Sequence, residues 1–187
     1  MEKLSLFFTN YILKKEVISK ENYEIYLYGF QSGLEILINV ICCIIIAVSL
    51  GMVIEAALFF AFFIPLRSYG GGLHMEKFLA CLFFSCVTLS TILLLVKYLS
   101  LIPIVSIILY CISLLIIKIA GPVSHPNRPV KQEEILKFKK RGNLILIICS
   151  IIAIAFLAME FQQYLFLEVL TFALVASTTL FGKFLYS

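Results

Sequence analysis

The sequence predicts an all-α, polytopic membrane protein: six transmembrane helices, an N-terminal amphipathic helix, and both ends on the cytoplasmic side. Three observations predict it. Of 187 residues, 62% are hydrophobic and only 14% charged, with a mean hydropathy of +1.07. A soluble domain is about half apolar and about a quarter charged, and a chain this short cannot hide the excess from water. The apolar residues fall into six runs, and the basic residues fall between alternate pairs of them.

The runs are 34–50, 53–66, 78–96, 102–120, 144–159 and 164–181. A span needs about 20 mostly apolar residues. The second run is short and ends at Pro65, so it crosses only where the bilayer thins or the helix is irregular. Lys3, Lys14, Lys15 and Lys20 precede the first run, and Arg67 and Lys77 follow the second. The fourth and fifth runs are separated by Arg128, Lys131, Lys137, Lys139, Lys140 and Arg141, and Lys183 closes the chain. The intervening connections carry no base except Lys97. Positive residues mark the cytoplasmic side, so the alternation sets an even number of spans with both ends inside. One integral membrane domain results, with residues 1–33 as a cytoplasmic or interfacial segment and 34–182 as the bundle.

Within that segment, Leu6, Tyr11, Leu13, Val17 and Ile18 approximate one helical face, and Lys14, Lys15 and Lys20 lie elsewhere. That pattern suits a helix lying in the interface; a cytoplasmic helix packed on the spans fits as well. No cleavable leader is expected, because polar-rich sequence precedes the first apolar run. Six cysteines, mostly within apolar runs, lack the spacing of a disulfide framework, and free thiols are expected. The basic residues border spans rather than forming a face of their own, which argues against nucleic acid as a partner. The lipid bilayer and an acidic segment of a substrate suit them better.

The connection between the second and third runs carries the chemistry: Pro65-Leu-Arg-Ser-Tyr-Gly-Gly-Gly-Leu-His-Met-Glu-Lys-Phe-Leu-Ala-Cys81. Three successive glycines open backbone conformations closed to other residues and let a substrate approach the main chain. His74 and Cys81 are the minimum for thiol nucleophilic catalysis, the imidazole taking the thiol proton and the thiolate attacking a carbonyl. A glycine turn before a helix with an interfacial histidine is the plainer reading. Seven residues on a straight helix are roughly 10 Å apart along the axis. A direct dyad therefore requires His74 to precede the helix, which would start near Met75–Lys77. Arg67 is a candidate to bind a carboxylate or stabilise an oxyanion, or simply an interfacial anchor. The N–H groups of Gly71 and Gly72 are candidates for an oxyanion hole. Glu76 and Ser85 are weaker candidates to orient His74, and Glu35 and Glu55 lie near span ends. His74, Cys81, Cys86 and His125 lack the spacing of a zinc site, so no metal and no cofactor is expected.

Arg67, the glycine turn ending at Gly72, His74 and Cys81 together resemble the signature of the accessory gene regulator protein B family. Gly121-Pro122, then Asn127-Arg128-Pro129 and the basic run, resemble that family's second cytoplasmic loop. The resemblance implies a bacterial membrane cysteine endopeptidase acting on a quorum-sensing propeptide, with Cys81 as nucleophile and His74 as base. It implies a short substrate with an amphipathic leader and an acidic C-terminal tail, a thioester on Cys81, and ring closure to a thiolactone or lactone. It also implies a homodimer. Two other classes compete: a transporter or exporter subunit, which needs a polar path through the spans, and a non-catalytic scaffold that recruits a partner through Lys137–Arg141.

Overall fold

The structure is a computed structural model, and it describes residues 2–70, 78–120 and 132–186. These residues form seven α-helices: α1 (Glu2–Lys14), α2 (Tyr23–Leu50), α3 (Val53–Gly70), α4 (Phe78–Tyr98), α5 (Pro103–Ala120), α6 (Gln132–Ala158) and α7 (Gln162–Tyr186). Five of them, all but α1 and α3, are long and apolar enough to cross a membrane. Their outward faces are apolar: Ile45, Val48, Leu115, Ile151 and Ile154 are all more than half exposed. Such a surface is stable only against lipid, where helices also satisfy every backbone group internally. The chain is a multi-pass membrane protein.

Several helices outrun the apolar runs. α2 begins at Tyr23, eleven residues before the first run, and α6 begins at Gln132, twelve before the fifth. Hydropathy marks where lipid begins; the hydrogen-bond ladder continues into water without regard to it. α3 passes through Pro65 to Gly70 rather than stopping there. The proline removes one ladder bond. The expected start of α4 at Met75–Lys77 lies outside the described residues. The N-terminal face is also redrawn. α1 stops at Lys14, where Glu16 takes a left-handed φ of 57°, so Val17 and Ile18 fall beyond the helix. α1 packs against α2 and buries Ser5 and Thr9, while Phe7 and Tyr11 stay exposed.

The turn from α2 to α3 is built on Gly51, whose φ of 69° is left-handed. Gly51 N–H donates to Val48 O at 3.0 Å and Met52 N–H to Ala47 O at 2.9 Å, the paired C-terminal closure that satisfies orphan carbonyls. Lys97 Nζ at the end of α4 donates to Leu50 O at 2.9 Å, placing a cation at the negative end of α2. Gln163 in the first turn of α7 donates to Glu55 in the first turn of α3 at 3.2 Å. These contacts gather the end of α2, the start of α3, the end of α4 and the start of α7 at one pole. The end of α3 and the start of α4, with Arg67 and Cys81, therefore occupy the other.

α7 is the central element. Its span is 61% buried, against 11% for α2. One side packs with α3, α5 and α6 through Phe62, Tyr110, Leu146, Val169 and Phe172. The other meets α2, α3 and α4 through Ala47, Phe59, Leu93, Phe166 and Leu167. Lipid is as apolar as these side chains, so close packing holds the helices together. Small residues at Ala47, Ala56, Ala153 and Ala176 permit it. The buried hydroxyls of Thr171 and Thr179 bond back to Leu167 O and Val175 O.

Candidate functional site

Cys81 sits in the first turn of α4, exposed and as a free thiol. Arg67 sits in the last turn of α3, half-buried. Both line one cavity of about 740 Å³ between α2, α3, α4 and α7. The structure thus brings together two residues fourteen apart in sequence across the glycine-rich connection. His74, Gly71 and Gly72 lie outside the described residues, as do Glu76 and His125.

The cavity is a long groove rather than a cup. Its lining runs from Ile36 to Ala47 on α2 and from Val53 to Arg67 on α3, about 16 and 21 Å at 1.5 Å per residue. Phe59, Phe60, Phe63 and Phe84 give it an aromatic wall, and Leu174 and Thr178 of α7 contribute to its lining. Polar groups are few. Asn39 Nδ2 donates to Ser85 Oγ at 3.2 Å, tying α2 to α4, and Cys43 Sγ–H donates to Asn39 Oδ1 at 3.3 Å. Ser85 is four residues after Cys81, on the same helical face about one turn further in. A thiol at one end of an apolar groove, with a guanidinium beside the entrance, is an arrangement that can carry an acyl group on sulfur while its side chains occupy the groove.

Other sequence candidates divide cleanly. Ser85 holds Asn39. Cys86 is half-buried in α4 as a free thiol. Glu35 accepts from Gln31 at 3.4 Å and Glu55 from Gln163. Two polar features escaped sequence reading. Asn39 and Ser85 are separated by 46 positions, and nothing local announces their pairing. Glu168 is the other: fully buried in α7, with neither carboxylate oxygen hydrogen-bonded among the described residues. Its signal was available, a lone carboxylate in the middle of the last apolar run, the kind of residue that membranes tolerate rarely.

An all-helical multi-pass membrane protein with a thiol at the mouth of an apolar groove is the class that fold and site define. The sequence model of accessory gene regulator B matches residues 5–181, and the chain belongs to that family. Two AgrB-like proteins of Clostridium perfringens match over 175 residues. One, from strain SM101, is 28% identical, and the other, AgrB-like protein 2 of strain 13, is 27% identical. Each match covers 87% of this chain and 75% of the relative. No solved structure matches. Membership links the chain to the processing of quorum-sensing propeptides.

Proposed function

We propose that this protein is a membrane cysteine endopeptidase that removes the C-terminal tail of a quorum-sensing propeptide. The observation that carries the reading is the placement of Cys81, an exposed thiol on the same apolar groove as Arg67. His74 takes the proton from Cys81, and the thiolate attacks the carbonyl carbon of the scissile peptide bond. The N–H groups of Gly71 and Gly72, with Arg67, stabilise the oxyanion. The intermediate collapses, the tail leaves as an amine carrying the proton from His74, and the acyl group stays on Cys81 as a thioester. A Cys or Ser side chain of the same peptide then attacks the thioester carbonyl, which closes a thiolactone or lactone and returns the Cys81 thiol. Attack within one bound peptide has a high effective concentration, and a dry groove keeps water from the acyl-enzyme.

In this reading α3 is the second of six spans, both termini are cytoplasmic, and the site opens at the cytoplasmic face of a bacterial cell membrane. The basic residues near the start of α6, such as Lys139, Lys140 and Arg141, face the acidic tail. The substrate's amphipathic leader stays in the same interface, and the enzyme works as a homodimer. The test is cleavage of the propeptide encoded beside this protein, in liposomes, followed by mass spectrometry. Tail release and an adduct on wild type but not on Cys81→Ser support the reading; equal cleavage by both removes Cys81 and directs attention to Cys86.

A second reading, an exporter subunit, draws on Glu168, because buried intramembrane carboxylates often serve transport. Vesicles that pass the product across the bilayer with wild type but not with Glu168→Gln, at equal cleavage, would support it.

A further inference from the structure

We propose that the groove beneath Cys81 is the subsite for an apolar residue on the acyl side of the cleaved bond, and that Asn39 hydrogen-bonds the backbone there. The inference rests on the peptidase reading and names what that site selects. A peptide held on Cys81 has its acyl portion tethered to a sulfur that itself lines the cavity. The neighbouring side chain can lie in that groove. Past Arg67 at its mouth, the groove of about 740 Å³ is walled by Phe59, Phe60, Phe63 and Phe84, which suits an aromatic or branched residue and offers a charge no partner.

An apolar wall creates a second demand. A peptide unit drawn into it loses water from its N–H and C=O, and each needs a partner. Asn39 is built to supply one. Its amide has two N–H donors and a carbonyl with two acceptor sites. One donor goes to Ser85 and one acceptor site is filled by Cys43, which fixes the amide plane and leaves one of each for the cavity it lines. Ser85 shares the face of Cys81 one turn away, so the braced amide lies along the path of the acyl chain. This makes Asn39 a specificity-determining residue for a reaction that Cys81 performs.

The experiment uses the full chain in liposomes and propeptides that differ only at the residue before the cleaved bond: Phe, Ala or Glu. Wild type should cleave the Phe peptide about tenfold or more faster than the Ala peptide in kcat/KM, and the Glu peptide least. Val40→Phe, which fills the groove from α2 beside Asn39, should reverse the order of Phe and Ala. Asn39→Leu should raise KM and slow thioester formation for the Phe peptide about tenfold, with partial rescue by Asn39→Gln. Equal rates on all three peptides, or a uniform loss in Val40→Phe with the preference intact, overturns the proposal. So does a lipid in the groove: bound lipid lost from Val40→Phe by native mass spectrometry with no change in preference. Failure of the underlying reading looks different, as no peptide is then cleaved in a Cys81-dependent way.

Discussion

The two sides of α7 contrast. Toward α5 and α6 the packing is tight: Tyr110 lies 4.6 Å from Phe172 between ring centroids, its hydroxyl meets Ser150 at 3.1 Å, and Phe172, Val175 and Val169 are almost wholly buried. Toward α2 and α4, Leu89 and Leu93 are equally closed in, but beside them the groove runs along α3 from Val53 to Arg67. One half of the bundle is a frame and the other is a receptacle. In lipid no hydrophobic force closes a gap between helices, so a groove persists where side chains do not interlock.

The contrast can be broken or sharpened by substitution. The largest effect belongs to Cys81→Ser, which should lower propeptide cleavage by about 10⁴-fold or more while thermal unfolding in detergent stays at the wild-type temperature. Next comes the frame. Phe172→Ala removes a fully buried ring and should cost about 3–5 kcal/mol, measured as loss of folded protein in a denaturant titration. Phe84→Ala, on the receptacle wall and 51% exposed, should cost far less. Equal costs would mean that the groove is closed in solution and the contrast false. Glu168→Gln keeps the shape of the side chain and removes its capacity for charge, so the frame should hold within about 1 kcal/mol or gain stability. A loss of several kcal/mol would show that the carboxylate is paired.

The smallest effect concerns the turns that close the two halves. Both use the same backbone closure. Gly51 forms it between α2 and α3, while Glu160 forms it between α6 and α7 with a φ of 59°. Its bonds are Glu160 N–H to Leu157 O at 3.3 Å and Phe161 N–H to Phe156 O at 2.9 Å. A side chain is disfavoured there by about 1 kcal/mol or more, so Glu160→Gly should raise stability by roughly 0.5–1 kcal/mol. Gly51→Ala should lower it by a similar amount. The pair is checked by the same titration.

Much of this was legible before any coordinates. Apolar runs located five spanning helices because lipid imposes a length, and the third run, 78–96, predicts α4 almost to the residue. Arg67 and Cys81 stood out because a thiol, a guanidinium and a glycine turn are unusual company at the edge of a span. Helix ends were not legible, since α2 begins at Tyr23 and α6 at Gln132, in polar-rich sequence well before the apolar runs. Nor was Pro65, whose missing N–H reads as a stop where the helix continues. The groove was the least visible. It depends on which sides of α2, α3 and α4 fail to meet, and Asn39 and Ser85 find each other only once that is settled. Glu168 is legible as a lone carboxylate inside the last apolar run, although its complete burial is not.

The position of α7 has a consequence for building hybrids of such proteins. Leu174 and Thr178 line the groove, while Val175 and Ala176, their neighbours in sequence, lock into the frame. A chimera that exchanges α2, α3 and α4 between two relatives, seeking to exchange what they select, must carry α7 across with one set or the other. Whichever parent supplies it, one of its two contact surfaces will be foreign. That helix is therefore the seam along which modular exchange in this architecture fails first, and the place where compensating substitutions should be sought.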